Sequence, residues 1–279
     1  MKHWTLDDID WDRFDRNAVD PDIVALVKSA AMVERNGDDY ALYLNSVFAD
    51  DPDFQAAMQN WAIEEVQHGD ALGRWAALAD PSFDYPRCFE RYRAGYTIDV
   101  RADASRRGSR SGELVARCIV ETGTSSYYTA LADASAEPVL VQVCRLIAAD
   151  EYRHFKLFYD HLRRYLAREK LSPLRRFKVA LGRATESEDD ELAFAYHVSN
   201  EAEGAVYDHQ RCIAGYMGRA MGFYRLPHLE RAMGMMFKAI GLPPRGRLSG
   251  MAARGAFRLV QWRHARFRKM LAVPAPGAT

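Results

Sequence analysis

The sequence predicts an all-α protein. Apolar residues recur at i, i+3, i+4 and i+7 through most long segments, alternating β-branched runs are nearly absent, and the breaks fall at acid-proline or glycine-rich turns. With 279 residues, 48% apolar and 27% charged, the chain can bury a sizeable core and is expected to form one large domain over residues 1 to 279.

An acidic, aromatic lead-in beginning MKHWTLDDIDWDRF occupies residues 1 to 20. It lacks the basic start and apolar run of a secretory signal, and no stretch approaches the roughly 18 apolar residues of a spanning helix. Cys88, Cys118, Cys144 and Cys212 are scattered without a C-x-x-C pair, so neither a structural zinc nor an iron-sulfur centre is indicated. The expectation is a soluble, cytoplasmic protein with reduced thiols.

Helices are expected over residues 21 to 48, 52 to 78, 110 to 133 and 136 to 168, which make up a unit spanning 21 to 170. Asp50-Asp51-Pro52, Asp80-Pro81 and the Ser/Arg/Gly stretch 105 to 112 separate them. The joint at Ala136-Glu137-Pro138 is short, as antiparallel neighbours allow. After the polar run TESEDDE, additional helices are expected between residues 187 and 271: 191 to 222, 226 to 240 and 247 to 271. The turn Gly241-Leu242-Pro243-Pro244 divides the last two, and the terminal PAPGAT is expected to fray.

The second helix carries Glu65-x-x-His68 in AIEEVQHGDAL, and the fourth carries Glu151-x-x-His154 in IAADEYRHF. Residues i and i+3 share a helix face, so each pair aims two ligands one way. One Glu-x-x-His arises by chance in roughly a third of chains this long at ordinary residue usage, so a single copy decides nothing. Here there are two, and a lone acid on an apolar helix precedes each, Glu34 by 31 residues and Glu121 by 30.

Two helices giving one Glu and two giving Glu-x-x-His form the inward ligand set of ferritin-like di-iron or di-manganese carboxylate bundles. The pattern therefore predicts a ferritin-like antiparallel four-helix bundle with additional C-terminal helices. Glu34, Glu65, His68, Glu121, Glu151 and His154 would hold two Fe ions or a Mn/Fe pair, since hard oxygens with one imidazole per metal suit these ions. The alternative, that these faces are solvated, is opposed by the surrounding Ala31, Val33, Ile119, Val120, Ile147 and Phe155. A ligating imidazole usually donates its other N–H to a carboxylate, so Asp150 is expected to orient His68 and Glu64 to orient His154. For Asp150 a plain solvated aspartate is the other reading.

These residues also carry a resemblance. WAIEEVQHGDAL resembles the Trp-x-x-Glu-Glu-x-x-His-Gly-Asp stretch of the soluble acyl-[acyl carrier protein] desaturases, and IAADEYRHF is similar to that family's Ala-Ala-Asp-Glu-x-Arg-His segment. Aligning YALYLN with the family's Tyr-x-x-x-Leu-Asn places Glu34 on its first ligand. The likeness covers roughly residues 25 to 160. It implies the same six ligands and dioxygen activation at two irons, with an external, ferredoxin-like electron donor and a carrier-bound or small-molecule acyl substrate. It also implies a homodimer. The family's oxygen-side threonine falls on Thr124 in ETGTSSYY, where a hydroxyl could deliver a proton. A helix-interior Thr also bonds back to its own backbone. The family's glutamate after the first ligand is Arg35 here, and Ser125, Ser126, Tyr127 and Tyr128 make the third helix polar.

Two function classes follow: oxidation of a C–H bond in a fatty-acyl-type substrate, or a rubrerythrin- or ferritin-like peroxidase or ferroxidase role without an organic substrate. A non-catalytic binding protein is a third, opposed by the complete ligand set. Trp4, Trp11 or Trp61 could help an electron in, although packing explains each. His197 and Glu201, with His209 nearby, could ligate a metal, but a stabilising helical pair is the plainer reading. Net charge is zero, yet ten Lys or Arg and no acid follow Glu230. The last helix, FRLVQWRHARFRKML, could therefore dock an acidic carrier protein or an anionic membrane, or simply pack. No recognised motif supports nucleic acid.

Overall fold

The computed structural model describes residues 3–186 and 190–271, and every regular element among them is helical. Three short 3-10 turns, Leu6–Asp8, Trp11–Arg13 and Arg16–Ala18, shape the lead-in. Then follow α1 (Pro21–Arg35), α2 (Gly37–Val47), α3 (Pro52–Ala79), α4 (Tyr85–Gly95), α5 (Arg110–Ala134) and α6 (Pro138–Glu169). They are succeeded by α7 (Pro173–Thr185), α8 (Asp190–Asn200), α9 (His209–Ala220), α10 (Leu226–Ile240) and α11 (Arg247–Leu271). The expected fraying of PAPGAT lies outside the described residues.

Local chemistry sets the long helices. Asp20 and Asp51 cap α1 and α3 through the amides of Asp22 and Phe54, each just before a proline preset for the first helical turn. Ser109 caps α5 through Gly112. Glu137, fully buried, caps α6 by accepting from Val139 and Leu140, and also takes the Trp75 indole N–H at 2.6 Å and the Asp15 amide at 3.1 Å. This one carboxylate ties the lead-in, α3 and the α5–α6 joint together.

The expected helix 21 to 48 breaks at Asn36, and the reason is proximity. A Cβ on Gly37 would meet the Cβ of Glu65 at 2.4 Å, and one on Gly69 would meet the backbone of Arg35 at 2.6 Å. The chain bends where α1 and α2 press on α3, just after Glu34. The expected helix 191 to 222 is likewise two helices, parted by a turn in which Gly204 has φ +82. Sequence periodicity did not reveal α4 and α7, whose faces mix arginine with aromatic or apolar residues.

α5 packs most extensively on α6, α1 and α2 pack on α3, and α3 meets α6. The buried apolar residues divide into two clusters. One contains Met32, Leu72, Tyr127 and Ile147, and the other contains Ala41, Trp61, Ile119 and Phe155. Glu34, Glu65, Glu121 and Glu151 lie between these markers on their helices, so a polar layer separates two dry halves. α8, α9 and α11 pack successively outward from α1, while α10 covers α5 and joins α7 to α11.

Gly69→Ala is expected to destabilise the fold by about 1–3 kcal/mol, since the neighbouring atoms are backbone and cannot step aside. Gly182→Ala on α7, where a Cβ meets nothing within 4 Å, should instead stabilise by up to about 1 kcal/mol. Denaturant midpoints of the two variants check both signs.

Candidate metal centre

Each of the four polar-layer helices delivers its acid inward because the flanking turns are apolar. Glu34, Glu65, Glu121, Glu151, His68 and His154 are all at most 8% exposed. Their donor atoms form two groups, each within 4.8 Å: Glu34, Glu65, His68 and Glu151, and Glu65, Glu121, Glu151 and His154. Glu65 and Glu151 belong to both. Each group could hold one cation, with those two carboxylates shared and one Glu and one His private to each side.

The imidazoles are aimed. His68 donates from Nε2 to Asp150 at 3.1 Å, and His154 donates from Nε2 to Glu64 at 2.7 Å. Both acceptors are carboxylates, so Nε2 carries the hydrogen and the Nδ1 lone pair faces the centre. There Nδ1 of His68 lies 3.2 Å from Glu151 and 3.6 Å from Glu34, and Nδ1 of His154 lies 3.0 Å from Glu65 and 3.8 Å from Glu121.

Whether these residues fit a pair of cations can be tested on their unsatisfied atoms. Oε1 of Glu65, Nδ1 of His68, Oε1 of Glu151 and Nδ1 of His154 are buried without a hydrogen-bond partner. Such orphans are costly and rare, and all four point at the two groups above. Charge agrees. Among the described residues, Glu34, Glu64, Glu65, Glu121, Asp150 and Glu151 face two guanidiniums, Arg117 and Arg153. With neutral imidazoles the deficit is four positive charges, which two divalent cations match.

The proton affinities express the same deficit. Burial, then the charges of Glu151 and Glu65, pushes Glu34 up to about 8. Burial likewise lifts Glu121 far above the usual carboxylate range, overcoming the Arg117 guanidinium, with Glu151 and Glu65 adding to it. Burial alone would lower His68 and His154, but the carboxylates around each ring, Asp150, Glu151 and Glu34 for His68 and Glu151, Glu64 and Glu65 for His154, raise both well above the usual imidazole value. Glu151 goes the other way: burial opposes its charge, and the neighbouring imidazoles of His154 and His68 outweigh it. Four groups are thus pushed toward holding a proton, the charge of two divalent cations.

Thr124 donates to Oε2 of Glu151 at 2.7 Å, with its own backbone carbonyls at Val120 and Glu121 each 3.3 Å away. The one hydroxyl hydrogen therefore has both the site and the helix within reach.

Sequence reasoning missed three contacts. Tyr128 donates to Oε1 of Glu34 at 2.5 Å, and Arg117 donates to Oε1 of Glu121 at 2.6 Å while its guanidinium lies over Trp61. The signal was periodicity: both residues share the face of Glu121, at i+7 and i−4. Trp4 is the third. Its indole N–H donates to Asp150 at 2.7 Å and its ring stacks parallel to His68, centroids 6.0 Å apart. Asp150 also binds Arg153, and His3 sits 3.0 Å from Glu64. Trp61 meets His154 edge-on, whereas Trp11 lies under Arg74.

His197 and Glu201 pair at 2.7 Å with buried Cys212 close by, but Arg211 already matches the Glu201 charge at 2.8 Å. His209 pairs with Asp190 at 3.7 Å. No helix among the described residues is long and apolar enough to cross a membrane. No protein-family model matches the chain, and no curated protein matches it.

Binding of Fe(II) or Mn(II) at pH 7 is expected to release about four protons per chain, because metal must displace the protons these groups hold. The sign follows from the raised affinities: release falls as pH climbs through about 8, where Glu34 ionises without metal. Titration in weak buffer, or calorimetry in buffers of different ionisation enthalpy, measures it.

Proposed function

We propose that the protein is a di-iron carboxylate oxidoreductase with a ferritin-like bundle, which uses dioxygen to attack a C–H bond of a fatty-acyl-type substrate. The observation that carries the oxidoreductase reading is the pair of overlapping ligand groups, in which Glu65 and Glu151 are common to both and the two Nδ1 atoms are free to ligate. The acyl substrate rests on the resemblance to the acyl-[acyl carrier protein] desaturases alone.

Two bound ferrous ions would supply electrons and open positions for reducing dioxygen. The chain's own residues do the rest. Glu65 and Glu151 would hold both ions, Glu34 with His68 and Glu121 with His154 one each, and Asp150 and Glu64 fix the imidazole tautomers. Thr124 keeps a proton at Oε2 of Glu151, the inward carboxylate nearest to being permanently ionised. Trp4, Asp150 and His68 form an unbroken hydrogen-bonded line from the lead-in to the centre. This suits electron delivery by an external, ferredoxin-like donor. The apolar clusters on either side keep bulk water out.

One observation favours the second reading, a rubrerythrin- or ferritin-like reaction of peroxide or iron. The cavity beside Arg117 measures about 190 Å³ and is lined by Tyr40, Tyr43, Tyr96, Arg106 and Glu113. It suits a small polar molecule, as ligand pockets for larger molecules usually exceed about 300 Å³, whereas the cleft of about 1340 Å³ lined by Ser125, Thr129, Phe155 and Met235 has room for a longer one.

Iron loading should give two Fe per chain, and the reduced protein mixed with oxygen should develop visible absorption whose decay a productive substrate accelerates. A colourless, unreactive protein with two irons would sink the reading. Peroxide turnover without any acyl compound would transfer it to the second. Thr124→Val should keep both irons while slowing oxygen-dependent turnover by on the order of ten- to a hundredfold. Unchanged turnover would remove Thr124 from the reaction.

A further inference from the structure

α11 carries seven Arg or Lys and no acid in 25 residues. One face packs on α9 and α10 through Ser249, Ala253 and Phe267. Nothing among the described residues covers the opposite face. Leu248, Met251, Leu259 and Trp262 are 62%, 65%, 53% and 59% exposed. They fall three, eight and three residues apart, which keeps them in one stripe about 21 Å long at 1.5 Å rise per residue. Arg247, Arg254 and Arg258 run along one margin, Arg266 and Lys269 cap the stripe at its C-terminal end, and Arg254 and Arg258 have no acidic partner among the described residues.

Exposed apolar area of this size on one helix marks an interaction surface. From the charge and shape of the face, we propose that α11 lies on an anionic lipid surface, apolar stripe inserted and arginines at the headgroups. An amphipathic helix with Trp and Leu on one side and cations at the margin has the composition of an interfacial helix. The stripe is convex, and a fluid bilayer accepts side chains without a shaped groove. A second copy fits worse: α11 against α11 sets like charges face to face, and α11 against an acidic face elsewhere on another copy would not close. α7, also against α10, repeats the pattern, with Leu174, Phe177 and Leu181 exposed on a helix that has four cations and no acid.

The test is sedimentation of the purified full chain with phosphatidylglycerol/phosphatidylcholine vesicles and with pure phosphatidylcholine vesicles. Binding is expected only to the anionic vesicles and should weaken with salt. Arg254→Gln/Arg258→Gln should weaken it about thirtyfold, at about fivefold for each cation near an anionic surface. Leu259→Ser/Trp262→Ser should weaken it at unchanged charge, with helicity and metal uptake of both variants as wild type. Failure of the wild type to sediment with anionic vesicles overturns the proposal. So does indifference to both variants, concentration-dependent self-association abolished by Leu259→Ser/Trp262→Ser, or capture of a purified acidic carrier protein while vesicles stay bare.

Discussion

Four carboxylates and two imidazoles share one dry space, and the structure is arranged around the positive charge they need. Isolated carboxylates in such a place are expensive, so their helices tolerate them only while protons or metal cations neutralise them. Glu34, held near 8 by burial and by Glu151 and Glu65, marks how close this balance sits to neutral pH. A pair of divalent cations answers it better than protons, because cations also satisfy the four buried atoms that hydrogen bonding leaves over.

Packing follows from that demand. The polar layer cuts the interior into two apolar clusters, so neither half can slide without dragging a ligand out of place. Gly37 lets α2, and Gly69 lets α1, close tightly on α3 beside Glu65 and Glu34, and the break at Asn36 is the geometric consequence. At the far end of these helices Glu137 collects donors from the lead-in, α3 and α6 on one buried carboxylate, as the polar layer does in the middle.

The candidate ligands were legible in the sequence because i, i+3 spacing is a local property: Glu65 with His68 and Glu151 with His154 declare a shared face without knowledge of the fold. Asp150 and Glu64 were legible one step further, since each precedes a ligand and, in a two-fold pairing, turns toward the opposite histidine. The roles of Trp4, Arg117 and Tyr128 were not. Trp4 lies 146 residues from Asp150, and no periodicity connects a 3-10 lead-in to a helix it covers. The Asn36 break escaped for a related reason: apolar spacing runs through it, and the cause lies on another helix. α4 and α7 escaped because arginines occupy so much of their faces that the apolar stripe is short.

The two halves of the centre repeat in sequence but differ in field. On the first side Glu34 takes a neutral phenol from Tyr128, and His68 leans on an aspartate that also binds Trp4 and Arg153. On the second, Glu121 takes a buried guanidinium from Arg117, which borders the cavity with Tyr40 and Tyr43. A cation pulls electron density from the carboxylate it binds, so Glu121 is a weaker donor than Glu34, whereas the imidazoles are matched, each with a carboxylate behind it, Asp150 for His68 and Glu64 for His154. The group containing Glu34, connected to the lead-in, therefore keeps the stronger carboxylate donor, and the group containing Glu121 lies beside the cavity. Under the function proposed above, that difference would set the two cation positions apart, one nearer the lead-in and one nearer the cavity.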